Sequence, residues 1–122
     1  MLLFAYGTLK DPGRLAAVIG GATKCRRIGD GSIGGILYDA GGYPVLVPSQ
    51  AAADTVPGVV LELDDTALPQ LDDYEGVDSG LYTRQWCAVR LADGTTVQAW
   101  VYVYARPVTA LPRIAAWPPH PD

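Results

Sequence analysis

The sequence predicts an α+β domain in which two short helices flank a small, mainly antiparallel β-barrel. Strand-like and helix-like segments occur in the order β-α-β-β-β-α-β-β, without the repeated strand–helix alternation of a parallel sheet. Apolar residues make up 49% of the 122 residues, which is enough for one core, and 14 glycines allow the sheet to bend. Asp93-Gly94 between two alternating segments predicts a β-hairpin.

The N-terminal part of the chain predicts one strand and one helix. Leu2–Tyr6 is apolar and ends at Gly7, which is typical of a buried strand entering a turn. Asp11 followed by Pro12 predicts the start of a helix, with Asp11 as the N-cap. Apolar residues at helical spacing follow until Gly20, where the helix is expected to end.

The middle of the chain predicts strands broken by glycines. The strand-like segments are Ile28, Ile33–Tyr38, Tyr43–Val47 and Val56–Leu63. Because Gly34-Gly35 lies inside the second of these segments, we expect a bulge or a bend there.

The last third predicts a helix followed by a hairpin. Asp64–Tyr74 reads as a short helix with Thr66 as a possible N-cap. Tyr82–Leu91 and Thr95–Tyr104 read as paired strands. In the second of these strands one face is aliphatic and the other largely aromatic, so the aromatic face is expected to line a pocket or to cover a barrel.

The domain organisation follows from composition. Residues 1–105 are predicted to form a single domain, because no linker or internal repeat interrupts them. Residues 106–122 are rich in proline and are predicted to form an extended or loosely ordered tail, packed on the domain or trailing from it.

The charge and the hydropathy argue against several classes of partner. Nine Lys and Arg against 13 Asp and Glu give a net charge of −4, which disfavours nucleic acid and acidic membrane surfaces. No apolar run approaches the length of a membrane span, and the first ten residues lack the features of a signal peptide. We therefore expect a cytoplasmic protein whose oligomeric state, monomer or weak dimer, the sequence leaves open.

The few cysteines and the single histidine restrict the chemistry. Cys25 and Cys87 have neither metal-ligand spacing nor a basic partner, and both are interpreted as buried thiols. His120 lies in the proline-rich tail, so a catalytic triad or a histidine-ligated zinc site is not expected. We expect no metal and no organic cofactor, and any acid–base chemistry must use carboxylates, tyrosine or cysteine.

The turn Tyr6-Gly7-Thr8-Leu9 is the first candidate site. A strand that enters a glycine turn just before a helix can present backbone amides to an anion, and Thr8 adds a hydroxyl. A carboxylate suits this turn better than a phosphate, because no Lys-Ser/Thr pair follows it. An ordinary tight turn explains the same pattern.

Glu75 is the second candidate. At about 100° per residue it falls on the same helical stripe as Leu68 and Leu71, which should face the core. Burial and the helix C-terminus would both raise the pKa of this carboxyl and make it a proton shuttle near neutral pH. If the helix ends early, Glu75 is instead solvated.

A third candidate is a set of tyrosines on strand-like segments. Tyrosines in strands usually serve as core or rim residues, and these could do so or line a pocket. The set is Tyr43, Tyr82, Tyr102 and Tyr104. Arg84 is expected to pair with a strand or helix carboxylate.

Six motifs in a fixed order give the chain a family resemblance. They are LFAYGTL at 3–9, GGYPVLVP at 41–48, VPGVVLEL at 56–63, LDDYEG at 71–76, YTR at 82–84 and AWVYVY at 99–104. The chain thus resembles the gamma-glutamyl cyclotransferase-like family over most of its length up to Tyr104. That resemblance implies a closed or nearly closed mixed barrel with flanking helices.

The resemblance also implies roles for individual residues. Tyr6, Gly7, Thr8 and Leu9 correspond to the loop that binds the glutamyl group of the substrate. Glu75 corresponds to the catalytic glutamate. The tyrosine of the late strand that contributes to the pocket is best matched by Tyr104, with Tyr102 as the second possibility, and Tyr43 is also expected to bind substrate.

The implied reaction is the release of 5-oxoproline from a gamma-glutamyl amine, amino acid or peptide. The substrate's own α-amine is the nucleophile, so one carboxyl group suffices as general acid and base. Three alternatives remain open at this point: hydrolysis of a gamma-glutamyl amide, binding of a glutamyl-like ligand without turnover, and an interaction protein that uses the aromatic strand face.

Overall fold

Five β-strands close into a barrel, and two short helices pack against it. The computed structural model describes residues 1–20 and 24–118. The helices and strands have these bounds: β1 Leu2–Ala5, α1 Pro12–Ile19, β2 Cys25–Asp39, β3 Pro44–Pro48, β4 Thr55–Leu63, α2 Leu68–Tyr74, β5 Tyr82–Leu91, β6 Thr96–Tyr104 and β7 Arg113–Ile114.

The barrel is mixed and mainly antiparallel, which confirms the predicted fold class. Its strands follow the order β2-β4-β1-β6-β5, and β5 returns to β2 through Gly31 and Ser32. β1 runs parallel to β6, with Leu3 opposite Trp100, while the other neighbours in the barrel are antiparallel. β1 is inserted between β4 and β6, so it is antiparallel to the first and parallel to the second.

β2 is longer than the sequence predicts, since the segments at Ile28 and Ile33–Tyr38 belong to one strand of 15 residues. Its bulge lies between Arg27 and Gly29, not at Gly34-Gly35. At Gly34-Gly35 the strand changes partner instead, from β4 to β3. This exchange brings backbone close to Gly34, where a Cβ would lie 2.7 Å from the carbonyl oxygen of Ser49.

Aspartate side chains cap α1 and the 3₁₀ turn that precedes α2. The Asp11 side chain accepts a hydrogen bond from the amide of Arg14, as predicted for the start of α1. The prediction of Thr66 as the second cap is wrong, because a 3₁₀ turn, Asp65–Ala67, precedes α2 and is capped by Asp64. The carboxylate of Asp64 reaches the Thr66 amide, so the capping oxygen comes from two residues earlier.

Two apolar clusters lie on opposite sides of the barrel wall, because alternate strand residues point to opposite faces. The interior cluster comes from the strands and the segments next to them. Its members include Phe4, Ile33, Leu37, Val56, Val60, Val89, Ala99, Val101 and Val103. The outer cluster joins the wall to the helices, and its members include Leu3, Leu15, Ile19, Leu61, Leu63, Leu71, Tyr82 and Tyr102. The predicted division of β6 into an aliphatic and an aromatic face is thus confirmed.

Gly58 marks the tightest packing of the interior. A Cβ at this position would lie 2.5 Å from the carbonyl oxygen of Ala5 and 2.6 Å from the ring of Phe4. We expect Gly58→Ala to lower the free energy of unfolding by about 1–3 kcal/mol, because neither neighbour can withdraw. Urea denaturation measures this change. Gly13→Ala is the matched control, since its Cβ meets only ordinary contacts in α1 and should be neutral or stabilising.

The described part of the C-terminal segment lies against the barrel. Arg113 and Ile114 pair with Tyr38 and Leu37 of β2, and the side chain of Lys10 donates a hydrogen bond to the carbonyl oxygen of Trp117. His120, predicted to be a solvated tail residue, lies outside the described residues.

The cysteines differ from the expectation of two buried thiols. Cys25 is exposed and Cys87 is half-buried, and both are free. Cys25 is the first residue of β2. In the part of the chain that the structure describes, no helix has the length and apolar character needed to cross a membrane.

Candidate active site

A cavity of about 340 Å³ opens where β1 ends, between the following turn and the C-terminus of α2. Its wall is apolar and aromatic. The lining residues are Leu3, Phe4, Ala5, Tyr6, Gly7, Thr8, Leu9, Tyr43, Pro44, Tyr74, Glu75, Leu81, Tyr82 and Tyr102. Among these lining residues Glu75 is the single carboxylic acid, and none is a lysine or an arginine.

One side of the cavity is the turn that follows β1. The amides of Lys10 and Asp11 donate to the carbonyl oxygens of Gly7 and Thr8 at 3.1 and 3.2 Å, which closes a 3₁₀ turn. The amides of Gly7, Thr8 and Leu9 precede these bonded amides, and the first donors of a helical turn have no partner within the turn. The turn can therefore supply neutral donors to a ligand that carries a carboxylate or an oxyanion.

Gly7 brings this turn unusually close to the start of β3. A Cβ on Gly7 would lie 2.6 Å from Cγ of Pro44, and Pro44 is itself buried. Because the proline ring is rigid and cannot move aside, a side chain at position 7 would push the turn away from β3. Glycine thus fixes the distance between two walls of the cavity.

The opposite side of the cavity carries Glu75, the residue directly after α2. Its amide donates to the carbonyl oxygen of Leu71 at 3.0 Å, so the backbone stays helical up to this point and does not fray. Leu71 is fully buried, as the helical stripe predicts. Burial raises the pKa of the Glu75 carboxyl to about 7. This carboxyl can therefore both accept and return a proton near neutral pH.

Three buried tyrosines surround the carboxyl and stay protonated. Burial is the main cause that raises the pKa of Tyr6, Tyr82 and Tyr102, and the charge of Glu75 raises each further. Their hydroxyls donate to protein acceptors: Tyr6 to the carbonyl oxygen of Tyr102, Tyr82 to that of Pro44 at 2.7 Å, and Tyr102 to Asp72 at 2.7 Å. These phenols form a fixed wall, and Glu75 is the group that titrates.

Two further tyrosines stand at the mouth of the cavity. Tyr43 is 37% exposed and Tyr74 is 38% exposed. The hydroxyls of Tyr74 and Thr8 lie 2.8 Å apart, so a hydrogen bond joins the end of α2 to the turn after β1. The part of a ligand that reaches out of the cavity would contact these rings.

The structure brings most of the sequence-predicted site residues to this one cavity. Tyr6, Gly7, Thr8, Leu9, Tyr43 and Glu75 all line it. Tyr104 does not, which departs from the expectation that it borders the pocket. Its ring packs edge-on against Tyr82, with centroids 5.8 Å apart, while Tyr102, the second possibility, lines the cavity. Tyr102 and Tyr104 are two residues apart in β6 and therefore share a face, so the alternating pattern alone cannot tell which of them borders the cavity.

Among the lining residues, sequence reasoning assigned no site role to Tyr74 or Pro44, and it singled out Tyr82 only as a member of the tyrosine set. Tyr74 directly precedes Glu75, and its place in the LDDYEG motif was the available signal. Tyr82 stands at the start of β5 and was considered only as one of several strand tyrosines. Pro44 gave no chemical signal, because its role is to hold the turn at Gly7 by contact.

The sequence of the chain is similar to those of one protein family. A family model described as "Gamma-glutamyl cyclotransferase, AIG2-like" matches residues 3–118. A relative from Escherichia coli K12, the gamma-glutamylcyclotransferase family protein YtfP, is 35% identical over 112 residues, which are 91% of this chain and 88% of the relative. The match includes both sides of the cavity.

Solved structures share the fold. A crystal structure of an AIG2-like protein from Mus musculus superposes with a TM-score of 0.79 at 26% identity, covering 95% of this chain and 86% of the mouse chain. A structure named gamma-glutamyl cyclotransferase superposes with a TM-score of 0.72 at 20% identity, covering 93% and 69% of the two chains. The second likeness concerns the fold alone.

Proposed function

The chain belongs to the gamma-glutamyl cyclotransferase, AIG2-like family, and on this premise we propose that it releases 5-oxoproline from a gamma-glutamyl amine, amino acid or peptide. The observation that carries the proposal is the position of Glu75: a carboxyl with a pKa of about 7 lines the same cavity as the Gly7–Leu9 turn. We assign Glu75 as the general acid and base, and Tyr6, Gly7, Thr8, Leu9 and Tyr43 as substrate-binding residues.

The reaction needs no nucleophile from the protein. The α-amine of the substrate attacks its own γ-carbonyl, which forms the lactam C–N bond and a tetrahedral intermediate. The α-ammonium loses two protons as it becomes the lactam N–H, one before the attack and one from the tetrahedral intermediate. Glu75 takes the first and returns it to the leaving nitrogen as the amide C–N bond breaks, and the second ends on the released amine. The products are 5-oxoproline and the protonated amine, so atoms and charge balance.

The cavity wall supplies orientation and charge stabilisation. Its rigid tyrosines favour the folded conformer of the short glutamyl chain, in which amine and carbonyl are close. Because none of the described residues that line the cavity is a cation, we assign the α-carboxylate or the developing oxyanion to the amides of Gly7, Thr8 and Leu9. The leaving group points toward Tyr43 and Tyr74 at the mouth.

Product identity tests the proposal. Wild-type protein is incubated with a panel of gamma-glutamyl amines, amino acids and dipeptides, and 5-oxoproline and glutamate are quantified by mass spectrometry. We expect 5-oxoproline well above the spontaneous background. A substrate with an acetylated α-amine cannot cyclise by this route and serves as the matched control.

Each contrary outcome points to one of the alternatives. Glutamate in place of 5-oxoproline, or cleavage of the acetylated substrate, would indicate hydrolysis. Saturable binding without any product over long incubation would indicate a binding module. Neither outcome is compatible with lactam formation at Glu75.

A further inference from the structure

A cluster at the border of the cavity joins α2 to the β5–β6 hairpin. Asp72 accepts hydrogen bonds from Nε and Nη2 of Arg84 at 3.0 and 3.3 Å and from the hydroxyl of Tyr102 at 2.7 Å. We call these three residues the Asp72 clamp. The side chains of Arg84 and Asp72 are 25% and 27% exposed, so the ion pair is partly shielded from water.

Both partners of Asp72 are themselves held in place. The guanidinium of Arg84 lies 4.4 Å from the centroid of the Trp100 ring, a cation–π contact that restricts its position. Tyr102 is fixed at both ends, because its backbone oxygen accepts the hydroxyl of Tyr6 while its own hydroxyl binds Asp72. The clamp therefore links α2 to a rigid part of the barrel.

Glu75 depends on α2 for its position. It directly follows the helix and is three residues after Asp72, one helical turn away. Among the described residues no hydrogen bond to the Glu75 carboxyl is found, whereas its amide donates to Leu71. The location of the carboxyl in the cavity is thus set by the placement of the helix end rather than by bonds of its own.

We propose that the Asp72 clamp is a positioning device that holds the last turn of α2 against β5 and β6, so that the Glu75 carboxyl stays inside the cavity beside the Tyr102 ring. This inference rests on the proposed function of Glu75 as acid and base. Asp72, Arg84 and the Tyr102 hydroxyl act through Glu75 and do not touch the reacting atoms.

Apart from the clamp, the groups that face Glu75 offer few other causes for a change in the pKa of its carboxyl. They are the tyrosine directly after β1, the tyrosines of β5 and β6, and those of the cavity mouth: Tyr6, Tyr82, Tyr102, Tyr43 and Tyr74. The charge of Asp72 is compensated by Arg84, and burial is the cause that raises the pKa of Glu75. A looser helix end would admit water to the carboxyl and lower that pKa.

Two variants test the clamp, with kinetics and a titration of the Glu75 carboxyl as readouts. Tyr102→Phe keeps the ring and removes the hydroxyl, and Asp72→Asn removes the charge. We expect either one to lower kcat by about tenfold with a smaller change in KM. In Tyr102→Phe, which keeps the ion pair of Asp72 and Arg84, we expect the Glu75 carboxyl, followed by NMR with isotope-labelled glutamate, to titrate at least about half a pH unit lower.

The chain makes this titration simple, because Glu62 and Glu75 are its only glutamates. Glu62→Gln is the matched control: it removes an exposed ion pair with Arg26 on the far side of β4, identifies the Glu75 signal, and should leave its titration unchanged. A stable Tyr102→Phe variant suffices if Asp72→Asn does not fold.

The result that would overturn the proposal is a folded Tyr102→Phe variant in which Glu75 titrates as in the wild type, whatever the value of kcat. The titration uses no substrate, so it tests the clamp even when the wild type releases no 5-oxoproline. Absence of product from the wild type would contradict the proposed function, whereas an unchanged titration would contradict the clamp.

Discussion

We expect Glu75→Gln to lower kcat for 5-oxoproline release by about 10²- to 10⁴-fold, the usual contribution of a positioned general acid and base. Glutamine retains the size of the side chain but can neither take the proton from the substrate ammonium nor return it to the leaving amine. KM should change little, because the amides and tyrosines that contact the substrate are unaltered. Steady-state kinetics with the best substrate of the panel measures both constants.

The pH dependence of kcat/KM is a second test of the assignment of Glu75 as general acid and base. The pKa of Glu75 is raised to about 7, so the wild-type kcat/KM should rise with pH through an apparent pKa near 7 as the carboxyl becomes able to accept a proton. In the Glu75→Gln variant this rise of kcat/KM with pH should be absent. If the rise persists unchanged, a group other than Glu75 is responsible for it.

The stability of the same variant should change in the opposite direction to its activity. Glu75 has an ordinary pKa of 4.5 when unfolded and one of about 7 when folded, so the folded protein binds this proton more tightly. Its contribution to stability is therefore present below pH 4.5 and is lost as the pH rises to about 7. At higher pH, Glu75→Gln should be more stable than the wild type by about 1–3 kcal/mol.

Urea denaturation across the pH range tests this difference. If Glu75→Gln is inactive yet more stable than the wild type at pH 8, its loss of activity is due to the missing acid–base group and not to unfolding. A variant that is less stable than the wild type at pH 8 would mean that the carboxylate has favourable contacts in the folded state, contrary to its burial without a hydrogen-bonding partner among the described residues.

We expect Gly7→Ala to lower kcat/KM by about 10- to 100-fold. Its Cβ would lie 2.6 Å from Cγ of the buried Pro44, so the turn must move away from β3. That movement displaces the Gly7–Leu9 amides from the substrate carboxylate or oxyanion. The free energy of unfolding should fall by about 1–3 kcal/mol, as for other overpacked sites.

Gly13→Ala is again the matched control, because it adds the same methyl group in α1, outside the cavity lining. It should leave kcat/KM unchanged. Gly7→Ala with unaltered kinetics would show that the turn is only a connection between β1 and α1, which is the ordinary explanation of its sequence pattern.

Local features of the fold could be predicted from the sequence. Asp11 and Pro12 mark the start of α1, and the alternation in β6 separates an aliphatic from an aromatic face, because these signals depend on neighbouring residues. That β2 is one continuous strand could not be predicted from the sequence. Glycines inside a strand resemble the ends of strands unless its partners β3, β4 and β5 are known.

The sequence by itself determined that Glu75 shares a helical stripe with Leu71, and that a glycine turn follows the first strand. Only the tertiary structure decided that these two elements, about seventy residues apart, face each other across one cavity, that Tyr102 and not Tyr104 borders it, and that Asp72 is bonded to Tyr102 and Arg84. The physical reason is that helical periodicity and capping act over a few residues, whereas barrel closure, strand twist and side-chain hydrogen bonds join residues that are distant in the chain.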